Sequence, residues 1–391
     1  MSRSQTEDSV ELTSEEVLTL TVETLMQHFS LIVQSDEYTA TDIWQVLAMA
    51  AATGSTIEAT TAKLENAPSA NTVRNHLKNG LLNPTELVAL EAQLNALLAA
   101  HVPPRILGHA QRVAIDLVLL PYYGQPAQEA DELRRSAAKD GTTRFHCYAT
   151  AYVIKHHKRV TLAVTYVQAD DSLLAVLERL LARLQTLQVS LRRLYLDRGF
   201  YAVEVIRFLK RQPFPSVIPA KVHGQRIRRL CQGRKSYRTT YTIQSPKHGE
   251  EEVALWIVCR YAKGRRGKHQ VEYLPYVVIG NLSCPTPTVR QEHRGRFGIE
   301  SSYRMMNQAR ARTTSRDPKY RLLLVGLALS MINLWITLCW SRLAVPRRGG
   351  RWLKDDLFSL SHFLAFIAEA ARSIYGFVNV VHRPVRASLS G

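Results

Sequence analysis

A chain of 391 residues that is 46% hydrophobic and 21% charged has room for two or three domains with cores of their own. This excludes wholesale disorder, a collagen-like repeat and a multi-span membrane protein. Lys and Arg number 51 against 33 Asp and Glu, a formal charge of +18, which favours a polyanionic partner; yet residues 1–100 carry a net of −9, leaving +27 for the rest.

The opening MSRSQTEDSVELTSEE is polar and acidic, without an apolar core of signal-peptide length, so residence in the cytoplasm is expected. The five cysteines are scattered and fit neither a disulfide framework nor a zinc site, which agrees with a reducing compartment. Residues 1–100 read as an all-α N-terminal domain, with helical spacing over 14–34, 41–52, 55–65 and 69–79. The last of these starts at Ser69 and turns Asn71, Thr72, Arg74, Asn75 and Lys78 outward. As a helix-turn-helix it would bring Thr72, Arg74 and Asn75 to base edges and phosphates. A plain helical bundle used for dimerisation stays open beside that reading, and the acidic balance of the region weighs against tight unspecific DNA contact.

From residue 101 the pattern changes to apolar, β-branched runs at 111–120, 144–155 and 159–168. An amphipathic helix at 171–188 follows, with Asp170 and Asp171 read as its caps, then a strand at 190–196, a helix at 201–211 and a strand at 216–222. That order predicts an α/β mixed sheet of RNase H-like type over 101–345. Residues 222–285 interrupt it as a basic, β-rich insertion, with twelve Lys or Arg against four Glu and interleaved aromatics. The insertion reads either as solvated turns or, in preference, as a nucleic-acid surface that includes Arg265, Arg266 and Lys268. The uncharged run 322–340 is long enough to cross a bilayer, but Ser330, Asn333 and Thr337 tilt it toward a buried helix. Residues 346–391 read as a helical C-terminal tail.

Three carboxylates stand out. Asp116 lies inside AIDLVLL, where burial demands a cation or a hydrogen-bond network; Asp197 follows the apolar LYL; Glu300 opens a helix starting near Gly298. Two strand ends and a helix so placed suit two Mg2+ ions, with Mn2+ as a substitute, because these cations take hard oxygen ligands and share a phosphate between them.

This set, with Asp-Arg-Gly-Phe-Tyr after the second Asp and a β-rich insert before the Glu, resembles the DDE transposases of insertion sequences. The nearest group carries the third motif Tyr-x2-Arg-x3-Glu-x6-Lys. Its Arg and Glu fall on Arg296 and Glu300, its Tyr on His293 and its Lys on Asn307. The resemblance implies Mg2+-dependent cleavage and strand transfer at element ends, with Asp116, Asp197 and Glu300 as catalytic metal ligands. It also implies DNA contacts from Arg296, Tyr303, Arg304, Asn307 and Arg198, a homodimer holding end and target DNA, no membrane, and residence in the cytoplasm with the nucleoid. A nuclease or resolvase that cuts without joining, and an inactive DNA-binding repressor, are the alternatives.

Overall fold

The computed structural model describes residues 11–124, 133–155, 159–261, 271–354 and 356–380; the side chains of Phe297, Ile299 and Glu300 also lie outside the described part. The chain divides into two compact units, Leu94–Met305 and Met1–Gln93 with Met306–Gly391.

The N-terminal helices begin where a hydroxyl caps them. α1 (Ser14–His28) starts after Thr13, α2 (Ala40–Ala52) after a capping box of Thr39 and Asp42, α3 (Ile57–Thr61) after Thr56 and α4 (Ala70–Leu77) after Ser69. The helix read through residue 34 stops at His28. Phe29 turns extended there and buries its ring 5.7 Å from that of Trp44, centroid to centroid. α5 (Leu87–Ala100) and the short α6 (Pro104–Leu107) follow.

The sheet is built from β1 (Gln111–Pro121), β2 (Arg134–Lys139), β3 (Thr142–Val153), β4 (Thr161–Val167), β5 (Leu191–Leu196), β6 (Ser216–Pro219), β7 (Tyr237–Ser245), β8 (Gly249–Tyr261) and β9 (Val271–Ile279). Its order is β2-β3-β1-β5-β6-β9-β8-β7, with β4 also paired to β3. The β1–β5 and β5–β6 pairs are parallel and the others antiparallel, so the sheet is mixed. The strands of the basic insertion thus extend the central sheet. β9 pairs with β6, which would otherwise be an edge strand with open N–H and C=O groups.

α7 (Leu173–Thr186) packs on β3 and β4, and α8 (Val203–Lys210) on β7, β8 and β9; α9 (Gly224–Leu230) lies within the insertion. The cap of α7 is Ser172, not an aspartate. Asp171 is instead held by Arg179 through two 2.7 Å bonds, which outweigh its burial and keep its carboxyl below the usual range.

α10 (Thr288–Arg294) and α11 (Gly298–Gln308) are joined by a 3-10 turn at Gly295–Phe297. α12 (Pro318–Leu338), capped by Asp317, contains the uncharged run up to Leu338. It is buried along most of its length and packs on α2 and on α13 (Leu360–Tyr375), as a core helix of its unit. A two-stranded hairpin, β10 (Val345–Arg347) with β11 (Gly350–Trp352), precedes α13.

Candidate active site

Register sets the site. β1 runs beside β5 up to the pair Ile115–Leu196, after which β5 turns away into the 3-10 turn Arg198–Phe200 while β1 continues along β3. Asp116 and Asp197 are each the next residue after that last pair. They therefore sit side by side where two parallel strands part at their carboxyl ends, the place where open α/β sheets form ligand crevices. The Asp197 carboxylate accepts the Gly199 N–H at 3.5 Å, and Asp116 Oδ1 accepts the Leu117 N–H at 2.9 Å.

Alternation puts Arg112, Ala114 and Asp116 on one face of β1, and Arg193, Tyr195 and Asp197 on one face of β5. Val289 of α10 and Tyr303 of α11 pack into the apolar cluster that includes Ala114, Tyr152 and Tyr195. Arg296, in the turn between those helices, donates from Nη1 to Asp116 Oδ2 at 2.6 Å and from Nη2 to Asp197 Oδ1 at 3.3 Å. Its side chain is only 8% exposed. The backbone that carries it is fixed by Tyr152, whose hydroxyl donates to the Arg296 carbonyl at 2.8 Å. A Cβ on Gly298 would come within 3.1 Å of that same hydroxyl, so the missing side chain lets the turn lie close against β3.

Tyr303 donates to the Asp116 carbonyl at 3.0 Å and takes a bond from Thr150 at 2.9 Å. Burial, and then the negative charge of Asp116, raise the Tyr303 phenol well above its usual range, so it stays a donor. Burial likewise pushes the Asp116 carboxyl up to about 6; Arg296 opposes the rise and the charge of Asp197 adds to it.

Beside this pair lies a second polar group. Glu292 accepts from Tyr195 at 2.6 Å, Arg193 at 2.8 Å and Arg112 at 3.3 Å. Although burial acts to raise its carboxyl, the bonds from Tyr195 and Arg193 hold it below the usual range. Sequence reasoning missed Glu292, Arg193, Tyr195 and Arg112. The period-two alternation leading back from Asp197 and from Asp116 was the signal that marks the three strand residues.

His293 fills the Tyr position of the motif. It is buried and donates from Nε2 to the Leu196 carbonyl at 3.0 Å. Burial pushes its pKa down to about 4, so it is neutral at pH 7. Its folded pKa lies below the unfolded value near 6.5. Its contribution is therefore complete above pH 6.5 and is lost as pH falls toward 4, by about 3 kcal/mol in all. Melting curves between pH 7.5 and 4.5 are expected to fall more steeply for the wild type than for His293→Gln; parallel curves would show that the histidine does not govern this range.

Glu300 lies in the first turn of α11, and its side chain is outside the described residues. Arg198, Arg304 and Asn307 are exposed, Arg304 donating to Ser301 Oγ at 3.3 Å. In the helical unit, Thr72 bonds Ser69 within the cap, Arg74 pairs with Glu58 and Asn71, and Asn75 is exposed. Arg265, Arg266 and Lys268 lie outside the described residues. Two aromatics of the insertion, Trp256 and Tyr276, are buried, and Arg238 stacks 3.7 Å over the Trp256 ring.

Among the described residues, no three His, Cys, Asp or Glu side chains converge as a ligand set. Asp116 and Asp197 nevertheless fit a divalent cation. Two carboxylates close enough to share one guanidinium supply the hard oxygens that Mg2+ takes from a protein, usually one or two carboxylates with water and phosphate completing the shell.

No protein-family model matches the chain, and no curated protein matches it in sequence. Among solved structures, it is similar to piggyBac transposase in the cryo-EM structure of its synaptic complex with hairpin DNA, with a TM-score of 0.54 over 94% of this chain and 80% of that one. At 11% identity the likeness is one of fold: the chain has a transposase-like fold with a nine-stranded mixed sheet.

Proposed function

We propose that the chain is a DDE transposase of an insertion sequence, with an RNase H-like catalytic region that cleaves and joins DNA at element ends. The observation that carries this reading is the convergence of Asp116 and Asp197 on one cationic group at the carboxyl ends of adjacent parallel strands, in a fold shared with a transposase. Asp116, Asp197 and Glu300 would hold two Mg2+ ions, or Mn2+ in their place. Ions bound there would supply Lewis-acid chemistry, lowering the pKa of an attacking water or 3′-hydroxyl and stabilising the leaving oxygen.

The chain's own groups do the rest. Tyr303 and Thr150 fix the Asp116 backbone, and Glu292 with Arg193 and Tyr195 ties α10 to β5, holding the turn that carries Arg296. Exposed Arg198, Arg304 and Asn307 take phosphate oxygens, as do the cations of the insertion. Thr72, Arg74 and Asn75 serve end recognition. Duplex DNA at the element ends and at the target is the partner, and a homodimer in the cytoplasm, associated with the nucleoid, is the working form.

The test is an end-cleavage assay with linear duplexes carrying the terminal repeats that flank the gene, in Mg2+, Mn2+ or chelator. Cleaved and joined products that depend on the divalent ion are expected. Absence of cleavage in either metal overturns the proposal, and cleavage without joined products replaces it with a nuclease or resolvase.

A further inference from the structure

The helical unit poses an electrostatic problem: a recognition helix set among residues of net charge −9 makes a poor grip on DNA. The fold supplies cations from far along the chain. The stretch 309–317, between α11 and α12, carries Arg310, Arg312 and Arg316, and its backbone is fastened to the N-terminal helices where the Arg312 N–H donates to the Ser55 carbonyl at 2.9 Å. Between this stretch and α3 and α4 opens a cavity of about 530 Å3, lined by Arg74, Lys78, Arg312, Thr56, Thr313 and Ser315.

Ile57, Leu82 and Tyr320 supply an apolar part of the lining, and its polar part is a donor surface. Both carboxylates in it are already engaged: Glu58 pairs with Arg74, and Asp317 accepts the Lys319 and Tyr320 N–H groups as the cap of α12. Three of its hydroxyls accept a backbone N–H, Thr56 from Ala59 at 3.1 Å, Thr313 from Ser315 at 3.0 Å and Ser315 from Asp317 at 3.2 Å. A hydroxyl used as an acceptor in this way keeps its O–H proton to give. Lys78 and Arg312 are exposed. The matching ligand accepts at every oxygen and carries negative charge, which describes a phosphodiester. Asn71 and Asn75, exposed on the same α4, place base-reading side chains next to it.

We propose that this cleft is a phosphate-backbone site for duplex DNA, in which Arg312 and Lys78 anchor the strand that α4 reads. The proposal rests on DNA being the partner in the function given above, and it moves the grip of the N-terminal region onto a segment outside it. Binding at such a site is independent of base sequence and strongly dependent on salt.

The test uses the full-length protein, a labelled 30-base-pair duplex of random sequence, a single strand of the same length, and fluorescence anisotropy across a salt series. Arg312→Gln and Lys78→Gln should each reduce the log K against log salt slope on duplex by up to about 0.9, and the double variant by up to about 1.8. Arg312→Lys should keep the wild-type slope, and Glu58→Gln, which frees Arg74, should steepen it. Melting midpoints should stay at the wild-type value, since the residues are exposed. An unchanged duplex slope in the double variant, a loss confined to the single strand, or a wild type that does not bind duplex would each overturn the site. The end-cleavage assay reports separately on the catalytic reading: a protein that cleaves but keeps its slope in the double variant loses only this inference, and one whose slope falls without any cleavage keeps it while losing the other.

Discussion

Asp116→Asn is expected to lower divalent-metal-dependent strand cleavage by about 10³-fold and, in the same protein, to raise the melting midpoint at pH 7 in chelator. The first effect follows from losing a metal ligand, which forfeits several kcal/mol of charge stabilisation at about tenfold per 1.4 kcal/mol. The second follows from the environment of the carboxyl. Burial pushes Asp116 up to about 6 from its ordinary 3.8. A carboxyl whose folded pKa is raised contributes its stability below about pH 4 and loses it as pH rises through 6, so at pH 7 the ionised group opposes folding by about 3 kcal/mol. Asn is uncharged at every pH and escapes this. Its advantage should be full at pH 7 and fade between pH 6 and 4. Wild-type cleavage by the variant would end the metal assignment, and a lower midpoint with no pH trend would make Asp116 a structural residue.

Arg296→Gln should have the opposite stability effect. It leaves Asp116 and Asp197 facing each other without the guanidinium that lies 2.6 and 3.3 Å from them. The Asp197 side chain is 43% exposed, so solvent screens its share; losing the buried partner of Asp116 costs about 3 kcal/mol, the low end for a buried pair, a fall in melting midpoint of roughly 10 °C for a unit of this size. Mg2+ should then stabilise the variant more than the wild type, because a cation that binds only the folded site adds RT ln(1 + [L]/Kd) and no longer competes with Arg296 for the carboxylates. Scanning calorimetry of both proteins in chelator and in Mg2+ reads this directly. Equal midpoints in chelator, or equal shifts in Mg2+, would contradict it.

Much of the sheet was legible because an apolar, β-branched run is a local signal. β1, β3, β4 and β5 could each be read from their own residues. β2 could not, since RRSAAK is mostly exposed and carries no apolar alternation. The pairing of β9 with β6, which merges the insertion into the main sheet, depends on contacts between distant segments that no local pattern encodes. At the site, Asp116 drew notice because a carboxylate among Ile115, Leu117 and Val118 must find a partner. The identity of that partner was hidden: Arg296 lies 180 positions away, and its spacing to Glu300 suggested a phosphate instead. Asp171 misled in the same way. It was read as a cap, but the hydroxyl of Ser172 takes that position and Arg179 takes the carboxylate.

The pairing of α1 and α2 with α13 has a consequence for synthesis on the ribosome. The middle of the chain, Leu94–Met305, contains every strand of the large sheet, and all of it is translated before α12 and α13. The N-terminal helices cannot be covered so early, because the apolar surfaces packed on them belong to α12 and α13, which are translated after the sheet. Until α13 has been made, α1 and α2, with their buried Leu18, Trp44 and Leu47, lack the helix that packs on both, and α12 with its uncharged run also precedes α13. Assembly of the unit that carries α4 therefore follows synthesis of α13, and a chain interrupted before it contains the strands beside Asp116 and Asp197 without the completed helical unit.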